Sequence, residues 1–263
     1  MSYPAALHFT TRPSSTPGAG TVVFVHGSLD RGGSFRRAMR RLPEFATVAY
    51  DRRGYQGSRG GGVVELGGHI DDLLAIAGAA RAESDGGPVV AVVHSFGGDV
   101  VLGAALASPG AFDSIGAFEP PMPWLGFRRK AGRPWPPPSD DPGLEAERFF
   151  CRMVGESTWA NLHEDGRASR RADGPALVAD LRGFRVEGAP FDVMALDVPA
   201  VFGRGGAMSA PHHRQTVEWL GDNVPGAVLF EIANAQHGAH LSHPDAFAAM
   251  TRLVLERAGD PTG

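Results

Sequence analysis

The sequence predicts an α/β fold in which a mostly parallel central sheet is covered by helices on both faces. Several short runs of apolar residues show no polar alternation, which is typical of strands buried on both faces. These runs alternate along the chain with segments of helical periodicity, and that order favours a parallel sheet. The chain has 263 residues, 43% of them hydrophobic, which suffices for one large domain or for a core domain with an insertion.

Local patterns place the individual elements. Residues 88–93 are the most apolar strand candidate and end at His94-Ser95. Residues 69–81 carry apolar side chains near helical spacing, and residues 97–107 predict a second helix. The other predicted strands are residues 21–26, 46–50, 114–118, 198–202 and 227–232.

The pattern changes between residues 121 and 196, where no strand-like run occurs. Pro-rich loops come first, and helical segments are predicted around residues 144–154 and 175–184. Structureless loops of this length are rare in compact domains, so we predict a helical cap rather than a plain surface excursion. The predicted core therefore comprises residues 1–120 and 197–263, with residues 121–196 as an inserted cap.

Charge and cysteine usage exclude several classes of function. The net charge is −4, so no overall basic field favours nucleic acid or an anionic membrane. Cys151 is the single cysteine, which excludes an intramolecular disulfide and a cysteine-based zinc site. The sequence shows no signal peptide and no stretch of about 18 apolar residues. We therefore expect a cytoplasmic protein with a small-molecule substrate, and homo-oligomer formation stays open.

The segment His94-Ser95-Phe96-Gly97-Gly98 carries the strongest chemical signal. A buried strand runs into a serine that small residues and a helix follow, which is the context of a nucleophile elbow. The hydroxyl would lie beside the positive end of the helix, where a developing anion is stabilised. Val93 departs from the G-x-S-x-G pattern, because glycine is usual at that position. The alternative role for Ser95 is that of a helix N-cap.

Two further segments supply candidate partners for Ser95. His26-Gly27-Ser28 follows a predicted strand, and the backbone N–H groups of Ser28 and Phe96 are candidate oxyanion donors. His237 lies in a loop before the final helix, where a general base could reach Ser95. Ser242 is predicted to cap that helix. Three histidines, at positions 237, 240 and 243, also suggest a metal site, but no cluster of acidic residues accompanies them, so no metal is predicted.

Taken together, these motifs resemble the α/β-hydrolase superfamily, in its esterase, lactonase and cofactor-free haloperoxidase-like branch. They occur in family order and span nearly the whole chain, and they include the segment Asp51-Arg52-Arg53-Gly54. The resemblance implies that the catalytic histidine precedes the proline of the final helix by seven residues, which favours His237 over His240. It also implies that residues 51–54 pack near the site, where an arginine-rich turn is usually an ion-paired scaffold.

The acid of the catalytic triad departs from the family pattern. The family usually places it after the next-to-last strand, but that predicted strand continues into Arg204-Gly205-Gly206-Ala207. Asp197 and Asp222 precede strands and so lie at the wrong end of a parallel sheet. Glu119 directly follows the strand of residues 114–118, a known variation in the superfamily, and is the best candidate. A hinge ion pair or a substrate contact is its alternative role, and Ser209, His212 or His213 could orient His237 instead.

The resemblance implies a serine hydrolase with Ser95, Glu119 and His237 as its triad and with no metal or organic cofactor. Apolar cap residues suggest a small or medium hydrophobic ester, lactone or thioester as substrate. The candidate substrate contacts are Trp124, Leu125, Phe150 and Trp159, for which ordinary packing is the alternative role. Acyl transfer or carbon–carbon bond hydrolysis on the same triad, and a non-catalytic ligand-binding protein of the same fold, remain alternative functions.

Overall fold

The computed structural model describes residues 2–130, 132, 136–183, 185, 188–206 and 209–259. Its seven-stranded sheet has the order β1-β3-β2-β4-β5-β6-β7. Only β1 is antiparallel to its neighbour within this described sheet, and the other pairings are parallel. The strands are β1 (Phe9–Arg12), β2 (Thr21–Val25), β3 (Ala46–Tyr50), β4 (Val89–His94), β5 (Ser114–Phe118), β6 (Ala200–Gly205) and β7 (Val228–Ile232).

Helices cover both faces of the sheet, as the sequence predicts. The described α-helices are α1 (Arg36–Met39), α2 (Leu66–Glu83), α3 (Phe96–Ala107), α4 (Phe127–Lys130), α5 (Pro142–Val154), α6 (Glu156–Ala160), α7 (Glu164–Ala172), α8 (Gly174–Gly183), α9 (Pro211–Asn223), α10 (Ala239–Ser242) and α11 (Pro244–Ala258). Side chains of α2, α3 and α9 form one apolar cluster with the sheet, and those of α1 and α11 form the other. Alternate residues of β4 enter the two clusters because successive side chains of a strand point to opposite faces.

Two strands differ from the prediction. The short edge strand β1 contains Thr10, Thr11 and Arg12, and it carries no apolar run that sequence patterns could detect. Strand β6 begins at Ala200 rather than at residue 198 and extends to Gly205. A Cβ atom at Gly203 would lie 2.6 Å from Met250 Sδ, so glycine lets α11 pack closely there although it weakens strand propensity.

Of the described helices between β5 and β6 in the chain, the four from α5 to α8 are called here the inserted helices. They contain the two predicted helical segments, although Phe184 lies outside the described residues. Their apolar side chains form a separate cluster that includes Phe149, Phe150, Trp159 and Leu177, and Leu29 of the core also belongs to it. Across the described ranges, no helix combines the length and apolar character needed to cross a membrane.

A buried ion pair joins the inserted helices to the core. Asp180 of α8 accepts hydrogen bonds from both terminal nitrogens of Arg52, at 2.7 and 3.2 Å. The hydroxyls of Tyr55 and Ser28 donate to the same carboxylate at 2.6 and 2.8 Å. The side chains of Arg52 and Asp180 are 0% and 1% exposed, so both charges are removed from water. The segment of residues 51–54 is therefore ion-paired, as its sequence suggests.

The Asp180 carboxylate stays ionised in spite of its burial. Burial alone would raise the pKa of this carboxyl group, but the charge of Arg52 and the hydrogen bonds to it hold the pKa well below its ordinary value. The folded state therefore binds the proton more weakly than the unfolded chain does. The resulting stabilisation is complete above the ordinary Asp pKa and is lost as the pH falls through the folded pKa.

We expect Asp180→Asn to lower the free energy of unfolding by about 3–5 kcal/mol at neutral pH, because it leaves the Arg52 charge buried without a counter-charge. Urea denaturation measures this change. The matched control is Asp245→Asn, which removes a surface carboxylate whose side chain is 81% exposed and should change stability little. Wild type and Asp180→Asn should converge as the pH falls below about 4. Equal stability of the two at neutral pH would contradict the role assigned to this ion pair.

Candidate active site

The candidate nucleophile lies at a sharp turn between β4 and α3. Ser95 has backbone angles of φ 54° and ψ −127°, a left-handed conformation that costs a non-glycine residue free energy. Its N–H donates to the carbonyl of Phe118 at 2.9 Å, and its own carbonyl accepts from the N–H of Gly98 at 2.7 Å. Ser95 is half-buried between the buried residues His94 and Phe96. The turn thus presents the hydroxyl at the carboxyl edge of the sheet.

Small residues make this turn possible. A Cβ atom at Gly97 would lie 2.6 Å from the carbonyl oxygen of Val25, and one at Gly27 would lie 2.8 Å from Ser95 Cβ. Val93, the departure from the motif, is fully buried and pairs with Val25 and Ala117 on the neighbouring strands. A valine therefore fits at this position without disturbing the turn.

Glu119 and His237 form a direct carboxylate–imidazole pair. Glu119 Oε2 lies 2.7 Å from His237 Nδ1, although the two residues are 118 positions apart in the chain. Glu119 Oε1 accepts from the backbone N–H of Gly205 at 2.8 Å and from the hydroxyl of Ser209. The carboxylate is fully buried, and His237 is half-buried. The acid thus follows β5 but is held by the segment after β6, where the family pattern places it.

The pKa of the Glu119 carboxyl group is lowered despite its burial. Desolvation raises this pKa. The hydrogen bond and charge of His237, followed by the hydrogen bonds from Ser209 and Gly205, lower it by more, so the net change is a decrease. The group is therefore an ionised acceptor at neutral pH. An ionised acceptor at Nδ1 fixes the proton of neutral His237 on that nitrogen and leaves Nε2 with a lone pair.

Two other histidines enclose His237. His213 stacks on it with ring centroids 4.3 Å apart and an interplanar angle of 17°. The His94 ring is tilted by 50° to the His237 ring, and their centroids are 4.6 Å apart. Burial, then the positive charge of neighbouring groups, lowers the pKa of both His213 and His94 well below its ordinary value. The imidazole of His237 is thus held between two neutral rings. Sequence reasoning named His213 only as an alternative partner and gave His94 no role.

Ser95, Glu119 and His237 lie in segments that emerge at one edge of the sheet. The carbonyl oxygen of Phe118, the residue before Glu119, accepts a hydrogen bond from the backbone N–H of Ser95. His94 Nε2 lies 2.8 Å from the carbonyl oxygen of His237. Within the described residues, no hydrogen bond joins the Ser95 hydroxyl to His237. Catalytic hydrogen bonds are often long or poorly aligned without substrate. His240, the other candidate base, instead lies 3.1 Å from Asp30 Oδ2.

The candidate oxyanion donors lie beside this edge. Phe96 is the first residue of α3. Ser28 follows Gly27, where a Cβ atom would lie 2.8 Å from Ser95 Cβ. The Ser28 side chain points the other way and donates to Asp180. The loop continues into Leu29, which has a positive φ of 56° and packs among the inserted helices.

The four predicted substrate contacts divide into two groups. Trp124 and Leu125 pack against the core, where Trp124 meets Phe191 with ring centroids 5.3 Å apart. Phe150 and Trp159 contact each other in the cluster of the inserted helices and are each 7% exposed. Their observed contacts are packing contacts, so a role in substrate binding stays a prediction.

Ser242 ends α10 and its hydroxyl bonds to the carbonyl of Gly238, so the predicted cap position belongs to His243 instead.

The sequence model described as "Alpha/beta hydrolase family" matches residues 22–250 of the chain. No curated protein sequence matches this chain. Among solved structures, an esterase from Thermogutta terrifontis shares 21% identity and a TM-score of 0.69, with 96% of this chain and 93% of that chain covered.

Two other solved structures have the same architecture. An alpha/beta hydrolase from Sphaerobacter thermophilus is 25% identical with a TM-score of 0.67, and 95% of each chain is covered. Carboxylesterase CesB from Bacillus subtilis is 16% identical with a TM-score of 0.67, covering 95% of this chain and 87% of that chain.

The carboxylate–imidazole pair has a direct spectroscopic test. We expect wild-type protein to show a strongly downfield imidazole N–H proton resonance, because His237 Nδ1–H donates to an ionised acceptor. Glu119→Gln should remove this resonance, whereas the surface variant Glu231→Gln should retain it. A resonance that survives Glu119→Gln in folded protein would show that the proton belongs to another pair.

Proposed function

The chain belongs to the alpha/beta hydrolase family, and on this premise we propose that it is a serine hydrolase acting through an acyl-enzyme. The observation that carries the proposal is the 2.7 Å bond from His237 Nδ1 to Glu119, beside a serine held at positive φ. A base oriented by a carboxylate near a serine hydroxyl is the arrangement that activates a weak nucleophile. A ligand-binding protein of this fold has no need of it.

In the proposed reaction, Ser95 Oγ attacks the substrate carbonyl while its proton passes to His237 Nε2. Glu119 stabilises the imidazolium that forms and remains ionised. The imidazolium then returns the proton to the leaving oxygen or sulfur, and the acyl group stays on Ser95. Water, deprotonated by the same imidazole, attacks the acyl-enzyme and releases a carboxylic acid and free Ser95.

Backbone N–H groups of Ser28 and Phe96 would stabilise the negative oxygen of both tetrahedral intermediates. Loss of one such donor costs about 3–4 kcal/mol of transition-state stabilisation in other enzymes. Asp180 helps to fix the position of Ser28, because its carboxylate accepts a hydrogen bond from the Ser28 hydroxyl and is itself held by Arg52. The inserted helices and the oxyanion loop therefore share one buried anchor.

We further propose that the inserted helices form a cap over the site and that the substrate is a small or medium hydrophobic ester, lactone or thioester. Support comes from Leu29, which joins the oxyanion loop to the apolar cluster around Phe150 and Trp159. The esterase and carboxylesterase structures of the same architecture agree with this substrate class. A panel of p-nitrophenyl esters, lactones and acyl thioesters would identify the preferred acyl and leaving groups.

Active-site labelling tests the nucleophile. A fluorophosphonate probe should label wild-type protein at Ser95, because the probe mimics the acylation step. Ser95→Ala should abolish labelling, while Ser242→Ala, which removes an exposed hydroxyl from the end of α10, should leave it intact. Correctly folded wild-type protein that resists the probe would favour the ligand-binding alternative.

The kinetic role of Glu119 is tested separately. We expect Glu119→Gln to lower kcat by about 10³–10⁴-fold, because a neutral amide no longer holds the productive imidazole tautomer. KM for the same ester should change much less, and urea denaturation should show that the variant remains folded. Turnover near that of wild type would exclude Glu119 from the triad.

A further inference from the structure

We propose that Asp30, His94 and His240 form a binding site for one first-row transition-metal ion, called here the loop metal site. It is distinct from the triad and does not depend on the proposed hydrolase activity. The sequence discourages a metal at the C-terminal histidines because no cluster of acidic residues accompanies them. The fold supplies that carboxylate from Asp30, which is 210 residues away from His240 in the chain.

The three side chains have the separations that a metal site requires. His240 Nε2 lies 3.1 Å from Asp30 Oδ2, and the rings of His94 and His240 have centroids 4.2 Å apart. One donor atom from each of the three residues lies within 4.8 Å of the others. Donors on a tetrahedral zinc ion, with bonds near 2.0–2.1 Å, are about 3.4 Å apart. Small rotations of the side chains would therefore bring all three donors into the coordination sphere.

His94 presents a buried lone pair that has no partner in the described part of the chain. Its Nε2 lies 2.8 Å from the carbonyl oxygen of His237, and a carbonyl can only accept, so Nε2 carries the hydrogen. The proton-free nitrogen is then Nδ1, which is buried and receives no hydrogen bond from any described residue. His94 is 6% exposed, so water does not readily compensate this nitrogen. A histidine that donates one ring nitrogen to a carbonyl and offers the other as a lone pair is the usual state of a metal ligand.

The other two ligands are also supported. Ser34 donates its hydroxyl to Asp30 Oδ2 at 3.0 Å, the kind of outer contact that orients a ligating carboxylate. His240 is 1% exposed and holds its Nε2 3.1 Å from Asp30 Oδ2, so this imidazole is fixed next to the carboxylate. Two imidazoles and one carboxylate suit Zn²⁺, Co²⁺ or Fe²⁺ and do not suit Ca²⁺ or Mg²⁺, which prefer oxygen donors alone. The remaining coordination positions would be open to water.

The ligands come from the three loops that carry the candidate catalytic groups. Asp30 lies two residues after Ser28, His94 directly precedes Ser95, and His240 lies three residues after His237. An ion bound to all three would link these loops and restrain their relative motion. A metal that binds only the folded arrangement also raises the stability of the whole protein.

A second group of potential donors makes the assignment testable. Glu119, His213 and His237 also place one donor atom each within 4.8 Å of one another. The 2.7 Å bond between Glu119 and His237 occupies two of these donors, so an ion there would have to displace it. In the loop metal site an ion would likewise displace the 3.1 Å contact between His240 and Asp30, but His94 Nδ1 has no competing bond, and this site is therefore favoured over that group.

The experiment titrates chelator-treated full-length protein with Zn²⁺ and with Co²⁺. We expect one equivalent of Zn²⁺ by calorimetry and a Co²⁺ visible absorption typical of mixed nitrogen and oxygen ligation. Tm should rise by about 5–10 °C when free Zn²⁺ exceeds its Kd a hundredfold. Absence of binding below millimolar Zn²⁺ would overturn the proposal.

Matched variants locate the ion. Asp30→Asn and His240→Gln should each weaken Zn²⁺ binding at least about tenfold and remove the Co²⁺ spectrum, with folding of both checked by circular dichroism in chelator. His243→Gln, a nearby histidine outside the cluster, and Glu119→Gln should bind as wild type does. Loss of binding in Glu119→Gln with retention in Asp30→Asn or His240→Gln would assign the ion to the triad and refute the loop metal site.

Discussion

Parallel strand direction is the constraint on which this active site depends. Strands β2, β4, β5, β6 and β7 run the same way, so the segments that follow them emerge at one edge of the sheet. Ser28, Ser95, Glu119 and His237 all lie in such segments, and no two of them are close in sequence. Asp197 and Asp222 both precede a strand and so lie toward the opposite edge, away from the Glu119–His237 pair.

The candidate acid Glu119 reaches this edge of the sheet from a different strand than the family pattern uses. The carboxylate arises after β5, one strand earlier than the usual family position, but Gly205 and Ser209 at the end of β6 hold it. The end of β6 and the segment after it thus supply hydrogen-bond donors to a carboxylate that comes from the neighbouring strand. Adjacent parallel strands make this arrangement geometrically simple, because Phe118, the last residue of β5, pairs with Gly203, two residues before the end of β6.

The histidines around the site form a continuous row of rings. Successive centroids are 4.2, 4.6, 4.3 and 4.2 Å apart along His240, His94, His237, His213 and His212. Glu119 pairs with the central ring, and Asp30 pairs with His240 at one end of the row. The two carboxylates therefore distinguish neighbouring imidazoles: we propose that the one paired with Glu119 acts as a base and that the one paired with Asp30 binds an ion.

The sequence by itself determined the α/β class, the positions of most strands and helices, the turn at Ser95 and the choice of Glu119 and His237 as candidates. Most of these features depend on local patterns, because a buried strand, a glycine-lined turn and a residue directly after a strand are all visible within a few positions. The choice of His237 over His240 rests instead on the family resemblance. The tertiary structure alone decided that Asp180 anchors Arg52 and Ser28, that Asp30 meets His240 and that His213 stacks on His237. Such contacts join residues 24 to 210 positions apart, and only the folded chain sets the distances between them.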